Sequence, residues 1–404
     1  MTEDILKQKL SQTQTSSALQ ENTLPKRSDE RWKYTDLSRI LNDVSFKGVI
    51  SSTEKLEIDS EMQLKLSEHP NRLVLVDGFL ELGLSQFDAD IIVDESEVDL
   101  LTKIDAHLHS MARINTKSNT RVISVSINAT LKEPLTLLHI LSERSQQRWV
   151  QPLLEVSLRE NATAEVHEKV LSLCKDSIVF NALTSIKLHQ ASSLVYMNNL
   201  AFEPSNVFNI HGLHIYQSKD SQFEYNHVAL ESKLFREDIH VHLNEVGSSC
   251  NLMAAGLITD KSHVDYHIIV EHHASNTISN VDVVAIAANK AVFVCNPKAI
   301  VDANIKGISA HQRSNNLLFD TTAAINTKPE LEIYSDDVQC THGATIGQLD
   351  EQALFYMQSR GVSESKAKEL LTEAFLGAVI DNFSCDKQDV LKASLIKKVE
   401  NYYK

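Results

Sequence analysis

The densest run of side chains capable of chemistry lies between Lys328 and Thr345. It holds Glu330, Glu332, Asp336, Asp337, Cys340 and His342 within a segment whose alternation suits a strand. In a strand, residues two apart share a face, so Glu330 faces with Glu332 and Cys340 with His342. A thiolate and an imidazole so placed can reach one soft metal ion. Spacing alone is equally met by a buried thiol beside a hydrogen-bonded histidine. The carboxylates could serve as an acid/base pair, or stand as a solvated or cation-paired face.

Other histidines carry weaker signals. His240 and His242 share one strand face, while His272 and His273 point to opposite faces. Neither pair has a third ligand at zinc-site spacing, so hydrogen-bonded histidines are expected there. The run from His311 through Arg313 to Asn316 reads as a polar turn entering a strand at Leu317 and Leu318. No Ser/His/Asp order and no nucleophile elbow is visible.

Elements able to position these groups follow from periodicity. Ile123, Val125 and Ile127 alternate with polar residues, as do Leu154, Val156 and Leu158. The same pattern returns at Ile239, Val241 and Leu243, and at Val264, Tyr266, Ile268 and Val270. Strand patterning thus runs from about Thr120 to Thr345 without a long helix, which disfavours a βαβ sheet. Asn198-Asn199, Gly247-Ser248-Ser249 and Asn276 to Asn280 look like the turns between strands. A sandwich, a barrel or a stacked β-helix would each fit, and no fixed repeat period chooses among them.

Both ends read differently. Residues 1 to about 115 are mixed and partly helical, with a Ser/Thr/Gln-rich, flexible stretch from Ser11 to Leu24 closed by Pro25. Trp32 and Tyr34 follow in a charged segment, as a docking corner for the N-terminal helices. Beyond Leu349 the period is helical. Asp350 can cap one helix and Gly361 can end it; Ser363 can cap the next. That next helix carries Ala367, Leu370, Leu371, Ala374, Phe375, Ala378 and Val379, and a last one Leu391, Leu395, Val399 and Tyr402. The chain therefore divides into 1–115, a β core at 116–347, and a helical module at 348–404. That module either packs on its own chain or offers a groove to a partner.

Composition removes several functions. With 39 Lys+Arg against 54 Asp+Glu, the 404-residue chain carries a formal charge of −15. No basic block stands out, so nucleic acid is not an expected partner. No apolar run is long enough for a membrane helix. The acidic start at Glu3 and Asp4 lacks the apolar core of a secretion signal. Five cysteines without a C-x-x-C pair are no disulfide framework, and a reducing cytosol is expected. Only 11 glycines are present, with no Walker A loop and no G-x-G-x-x-G fingerprint, so no nucleotide is expected on this chain.

The segment from Lys328-Pro329-Glu330-Leu331-Glu332 through Asp336-Asp337-Val338, Cys340, His342-Gly343-Ala344-Thr345, Gly347 and Leu349-Asp350-Glu351 resembles the SufB/SufD family of iron–sulfur cluster assembly proteins. Leu354-Phe355-Tyr356 and Arg360-Gly361 continue the likeness, and Trp32 to Thr35 is similar to the family's N-terminal segment. The His311 to Leu318 wording is closer to the SufD branch, and the functional cysteine that SufB members carry there is missing.

The resemblance implies a mainly β fold: a right-handed parallel β-helix flanked by N- and C-terminal helical regions. It implies pairing with SufB through the β-helix and docking of a SufC ATPase on the C-terminal helices, with self-pairing of the isolated chain left open. The chain would be a scaffold without activity of its own. His342, with Cys340 beside it, would hold iron or a nascent cluster transiently, shared with SufB. SufC motion driven by ATP would open the SufB interface to iron and sulfur. Against this stand two other readings. One is a β-helix carbohydrate-active enzyme using Glu330, Glu332, Asp336 or Asp337. The other is a zinc protein using Cys340, His342 and His311.

Overall fold

The computed structural model describes residues 24–37, 49–50, 60–97, 110–118, 121–199, 206–230, 232–385 and 388–404. The stretch read as flexible, Ser11 to Leu24, lies outside them except for Leu24 itself.

Alternating apolar residues produce strands here, and stacking of successive strands produces the fold. Thr163–Ser172 lies in one sheet, Ile178–Leu188 in a second, Ser193–Asn199 back in the first and Val207–Gln217 in the second. This alternation continues to Asp337–Gly347. Among the described residues the first sheet has 10 strands and the second 11. Pairing within each is parallel, except where Phe79–Leu80 meets Arg72–Val76 and where Ile91–Glu97 meets Arg121–Ile127. The chain is a parallel β-solenoid of about 7 turns, mainly β with a few helices at its ends.

Every alternating series read from the sequence faces the shared interior. Ile123, Leu154, Val156, Ile239, Val241, Val264, Tyr266 and Ile268 all join one buried cluster. Arg72–Val76 already pairs with Leu135–Leu141, so the sheets begin within the first 115 residues. Corners between strands use Asn and Asp in the left-handed region, as at Asn161 (φ 60°), Asp220 (φ 55°), Asp260 (φ 61°) and Asn276 (φ 57°). Short polar side chains tolerate that conformation, which is how so few glycines suffice. Gly307 (φ 69°) is an exception: a Cβ there would lie 2.4 Å from Asn276 Oδ1. Asn198, read as a turn residue, instead lies within a strand with its side chain buried.

A charged network crosses the interior between the sheets. Glu168, His211 and Glu237 are fully buried. His211 Nδ1 lies 3.0 Å from Glu237 Oε1, and its Nε2 lies 3.7 Å from Glu168 Oε2. Glu168 also meets His139 at 2.8 Å and accepts from the Tyr196 hydroxyl. Asn198 donates to Glu237 at 2.6 Å. Burial pushes the Glu168 carboxyl up, but the His211 charge and the bonds from His139 and Tyr196 outweigh it, bringing it down to about 2. Burial lowers His211, and the two carboxylates overcome that and raise it to about 9.

The N-terminal segment docks by aromatic packing, though against the second sheet as well as a helix. Trp32 covers the buried Arg236 guanidinium, 3.8 Å from the ring centroid, and packs with Met111 and Ile114 of the helix Ser110–Ser118. Arg236 is held by Asp238 at 2.8 Å and Asp265 at 2.5 Å, and donates to the Arg31 carbonyl. Thr35 Oγ1 donates to the same Asp265.

At the other end, Asp350 caps Glu351–Ser359 by accepting from Gln352 N and Ala353 N, and Ser363 caps Glu364–Ile380 by accepting from Lys366 N. Gly361 (φ 87°) supplies the turn between them. Leu376, Val379 and Ile380 pack, with Leu391, Leu395 and Val399 of Gln388–Tyr403, onto Met197, Met253, Val284 and Leu317 of the first sheet. The helical module therefore packs on its own chain. Among the described residues no helix is long and apolar enough to cross a membrane.

Removing His211 strands two buried carboxylates, a loss of roughly 3–5 kcal/mol for a broken buried pair. His211→Gln should lower the urea midpoint accordingly. The folded value of His211 lies above its ordinary 6.5. Its contribution is therefore complete below 6.5 and lost as pH rises through about 9. The wild-type midpoint should fall between about pH 7 and about pH 10, and the variant's should stay flatter.

Candidate functional site

The last coil is where the sequence-read residues gather. Asp337–Gly347 is the end strand of the first sheet and, among the described residues, pairs only with Lys306–Leu318. Partners across that pair share a face: Ile308 with Val338, Ala310 with Cys340, Gln312 with His342, Ser314 with Ala344 and Asn316 with Ile346. The lower members are all buried in the solenoid interior. Those above are half-buried or exposed; Ile346, for example, is 49% exposed. The interior column thus runs on into a coil that, among the described residues, no further coil covers. A solenoid needs its terminal repeat capped, because a coil's inner face is built to be covered by the next.

Cys340 and His342 stand side by side in this open column, as the strand period requires. Cys340 is half-buried against Val301, Ile305, Ile308 and Val338. Burial pushes its thiol up, so it is protonated until a metal displaces the proton. His342 is exposed. No trio of metal-ligating side chains among the described residues includes either one. The pair offers one sulfur and one nitrogen, and among the described residues no third metal-ligating side chain groups with it.

His311 does not join them. It lies on the opposite face of its strand, with Nδ1 2.7 Å from Thr341 Oγ1 and Nε2 3.1 Å from Ser309 Oγ. The three-residue zinc set of Cys340, His342 and His311 is therefore not assembled. Glu330 and Glu332 share a face but are each ion-paired, Glu330 to Lys328 at 3.1 Å and Glu332 to Lys298 at 2.6 Å. Asp336 and Asp337 are exposed beside them. This is the cation-paired face, and none of the four carboxylates is buried.

A second grouping went unread in the sequence. His272 is the expected buried, hydrogen-bonded histidine, 2.8 Å from Thr277 and 2.9 Å from Ser279. His240 and His242, however, do acquire further ligands. His214 joins them from the preceding coil, and His242 also meets Glu271 and His273 of the following coil. These residues lie on the outer face of the second sheet. Neighbouring coils place the chain 26 residues on at Phe208 to Leu234 but 29 on at Phe235 to Val264. Spacing rules for a single local motif miss ligands one coil apart.

Comparison with known proteins follows this geometry. Residues 140–375, more than half of the chain, match the family domain described as "SUF system FeS cluster assembly, SufBD core domain". The chain is 29% identical over 388 residues to an iron–sulfur cluster assembly SufBD family protein of Synechocystis sp., covering 89% of this chain and 83% of that one. It is 27% identical over 380 residues to the iron–sulfur cluster assembly protein SufD of Escherichia coli (strain K12), covering 91% and 88%. To the chloroplastic protein ABCI7 of Arabidopsis thaliana it is 33% identical over 171 residues, covering 41% and 35%. The family match over more than half of the chain shows that it belongs to the SufBD family of iron–sulfur cluster assembly proteins, and within it the chain is SufD-like.

Proposed function

We propose that this chain is the SufD-type scaffold subunit of a cytosolic SufB–SufC–SufD complex, with no reaction of its own. The observation that carries the proposal is the open interior column from Val338 to Ile346. A free strand edge and an uncovered apolar column invite a second β-solenoid. SufB is the partner that would cover it. His342 and Cys340 would then lie at the junction, each able to contribute one ligand to iron or to a nascent cluster whose remaining ligands belong to SufB. The cluster is cargo: an imidazole is a reversible iron ligand, suited to release.

The C-terminal module suits a SufC ATPase. Glu351–Ser359 buries none of its residues and exposes Phe355 (71%) and Tyr356 (61%). Beside it, Leu370, Ala374 and Ala378 line a groove with Ile396 of the last helix. Nucleotide-driven closure of two SufC subunits would pull on these helices and strain the SufB junction, admitting iron and sulfur.

Co-expression with SufB and SufC should recover one SufB and two SufC per tagged chain. Ile346→Lys should leave the melting temperature of the isolated chain nearly unchanged, because the side chain is half exposed. It should abolish SufB recovery while SufC is retained. Phe355→Glu should do the reverse. Recovery of the wild-type chain alone, well folded, would overturn the proposal. In the intact complex, His342→Ala should lower anaerobic cluster yield by about tenfold or more, the usual scale for losing a ligand-shell group. Subunit stoichiometry should not change.

A further inference from the structure

We infer that the outer face of the second sheet carries a binding site for a divalent first-row transition ion, formed by His242, Glu271 and His273 and separate from the Cys340/His342 column. His242 Nδ1, Glu271 Oε2 and His273 Nε2 form a triangle with edges of 3.4, 3.5 and 3.0 Å. Metal bonds of roughly 2.0–2.1 Å set ligand separations of about 3.0 Å at right angles and about 3.4 Å at the tetrahedral angle. The three atoms therefore already stand at the edges of one coordination face. Two imidazoles and a carboxylate suit zinc or ferrous iron, and exclude the hard, all-oxygen preference of calcium and magnesium.

The surroundings orient the ligands. His273 Nδ1 lies 2.8 Å from Asp302 Oδ2, on the next coil. In the free chain Nε2 shares a proton with Glu271; once a metal displaces that proton, the N–H kept on Asp302 would leave the Nε2 lone pair facing Glu271 and His242. A carboxylate behind a ligating histidine is the usual outer-shell arrangement of a metal site. Tyr216 stacks on His242 with ring centroids 4.9 Å apart, and His240 Nε2 holds the other Glu271 oxygen at 2.9 Å. Each ligand is thus fixed by a neighbour, while His273 keeps 29% of its side chain exposed as a route of entry. The positions left open in the shell are for water.

The bland reading is a carboxylate merely hydrogen-bonded to imidazoles, and titration of the full-length chain separates the two. Chelator-treated protein would be titrated anaerobically with Co(II), Zn(II) and Fe(II) separately, followed by calorimetry and, for Co(II), by visible absorption. One ion per chain is expected, at micromolar affinity or tighter, with Co(II) bands of imidazole ligation. Glu271→Gln and His273→Ala should each weaken binding at least 100-fold, and Asp302→Asn about 10- to 100-fold. Cys340→Ser and His342→Ala should leave it unchanged. Glu271→Gln keeps the shape of the side chain but turns one acceptor oxygen into a donor, so circular dichroism melts would accompany every variant to separate lost binding from misfolding. Absence of saturable binding in the wild type overturns the inference. So does binding that survives His273→Ala and Glu271→Gln, or binding lost with His342→Ala.

Discussion

One constraint governs this molecule: each coil of a parallel solenoid must have its inner face covered by the next. Parallel registers carry it out, residue by residue, from Ser193 beside Thr163 to Leu317 beside Gly347. Apolar columns satisfy it by burial, at about 25 cal/mol per Å² of surface removed from water. Polar columns satisfy it only by mutual pairing, and His211 between Glu168 and Glu237 does so across the two sheets. At the last strand nothing in the described chain satisfies it. The candidate site is the place where the fold's own rule is left unmet.

The same stacking explains why two kinds of histidine group occur. Residues one coil apart meet at a few ångströms, so a histidine on one strand acquires neighbours on the next. Inside, this yields fully buried ion pairs whose removal is costly but whose presence adds little net stability. Outside, it yields the His242, Glu271 and His273 triangle, backed by Asp302. At the end it yields Cys340 and His342 over Ala310 and Gln312, with nothing above. The outer group is complete within one chain. In the proposed scaffold, the terminal pair would be half a ligand set.

Local features of this architecture were legible in the sequence, whereas coil-to-coil features were not. Period-two alternation at Ile123, Leu154 and Ile239 reported strands, because each strand has one face in the core. Asp350, Ser363 and Gly361 reported the helix ends, because caps act within a few residues. Solenoid, sandwich and barrel could not be separated, because the coil drifts from 26 residues at Phe208 to Leu234 to 32 at Val292 to Ala324. Cys340 and His342 share their face as strand geometry demands. His311 was open to being grouped with them because the register shifts between Lys306 and Ile308, around Gly307, so chain position alone does not give its facing. The outer histidine triangle needed the coil length before any spacing rule could find it.

In the proposed scaffold, the open column and the helical module would act as parts of one lever. The chain leaves Gly347 and two residues later Leu349 packs into the cluster of Leu376, Val379 and Leu395. That cluster sits on Met253, Val284 and Leu317 of the first sheet, whose last strand bears Cys340 and His342. Covering the column buries apolar atoms, and separating it re-exposes them. In the proposed scaffold, SufC would have to offset that burial each time the junction opens. A terminal pair with only two ligands would suit such a cycle, because in the proposed scaffold it would bind tightly only while the partner's ligands are present and would lose its cargo when they withdraw.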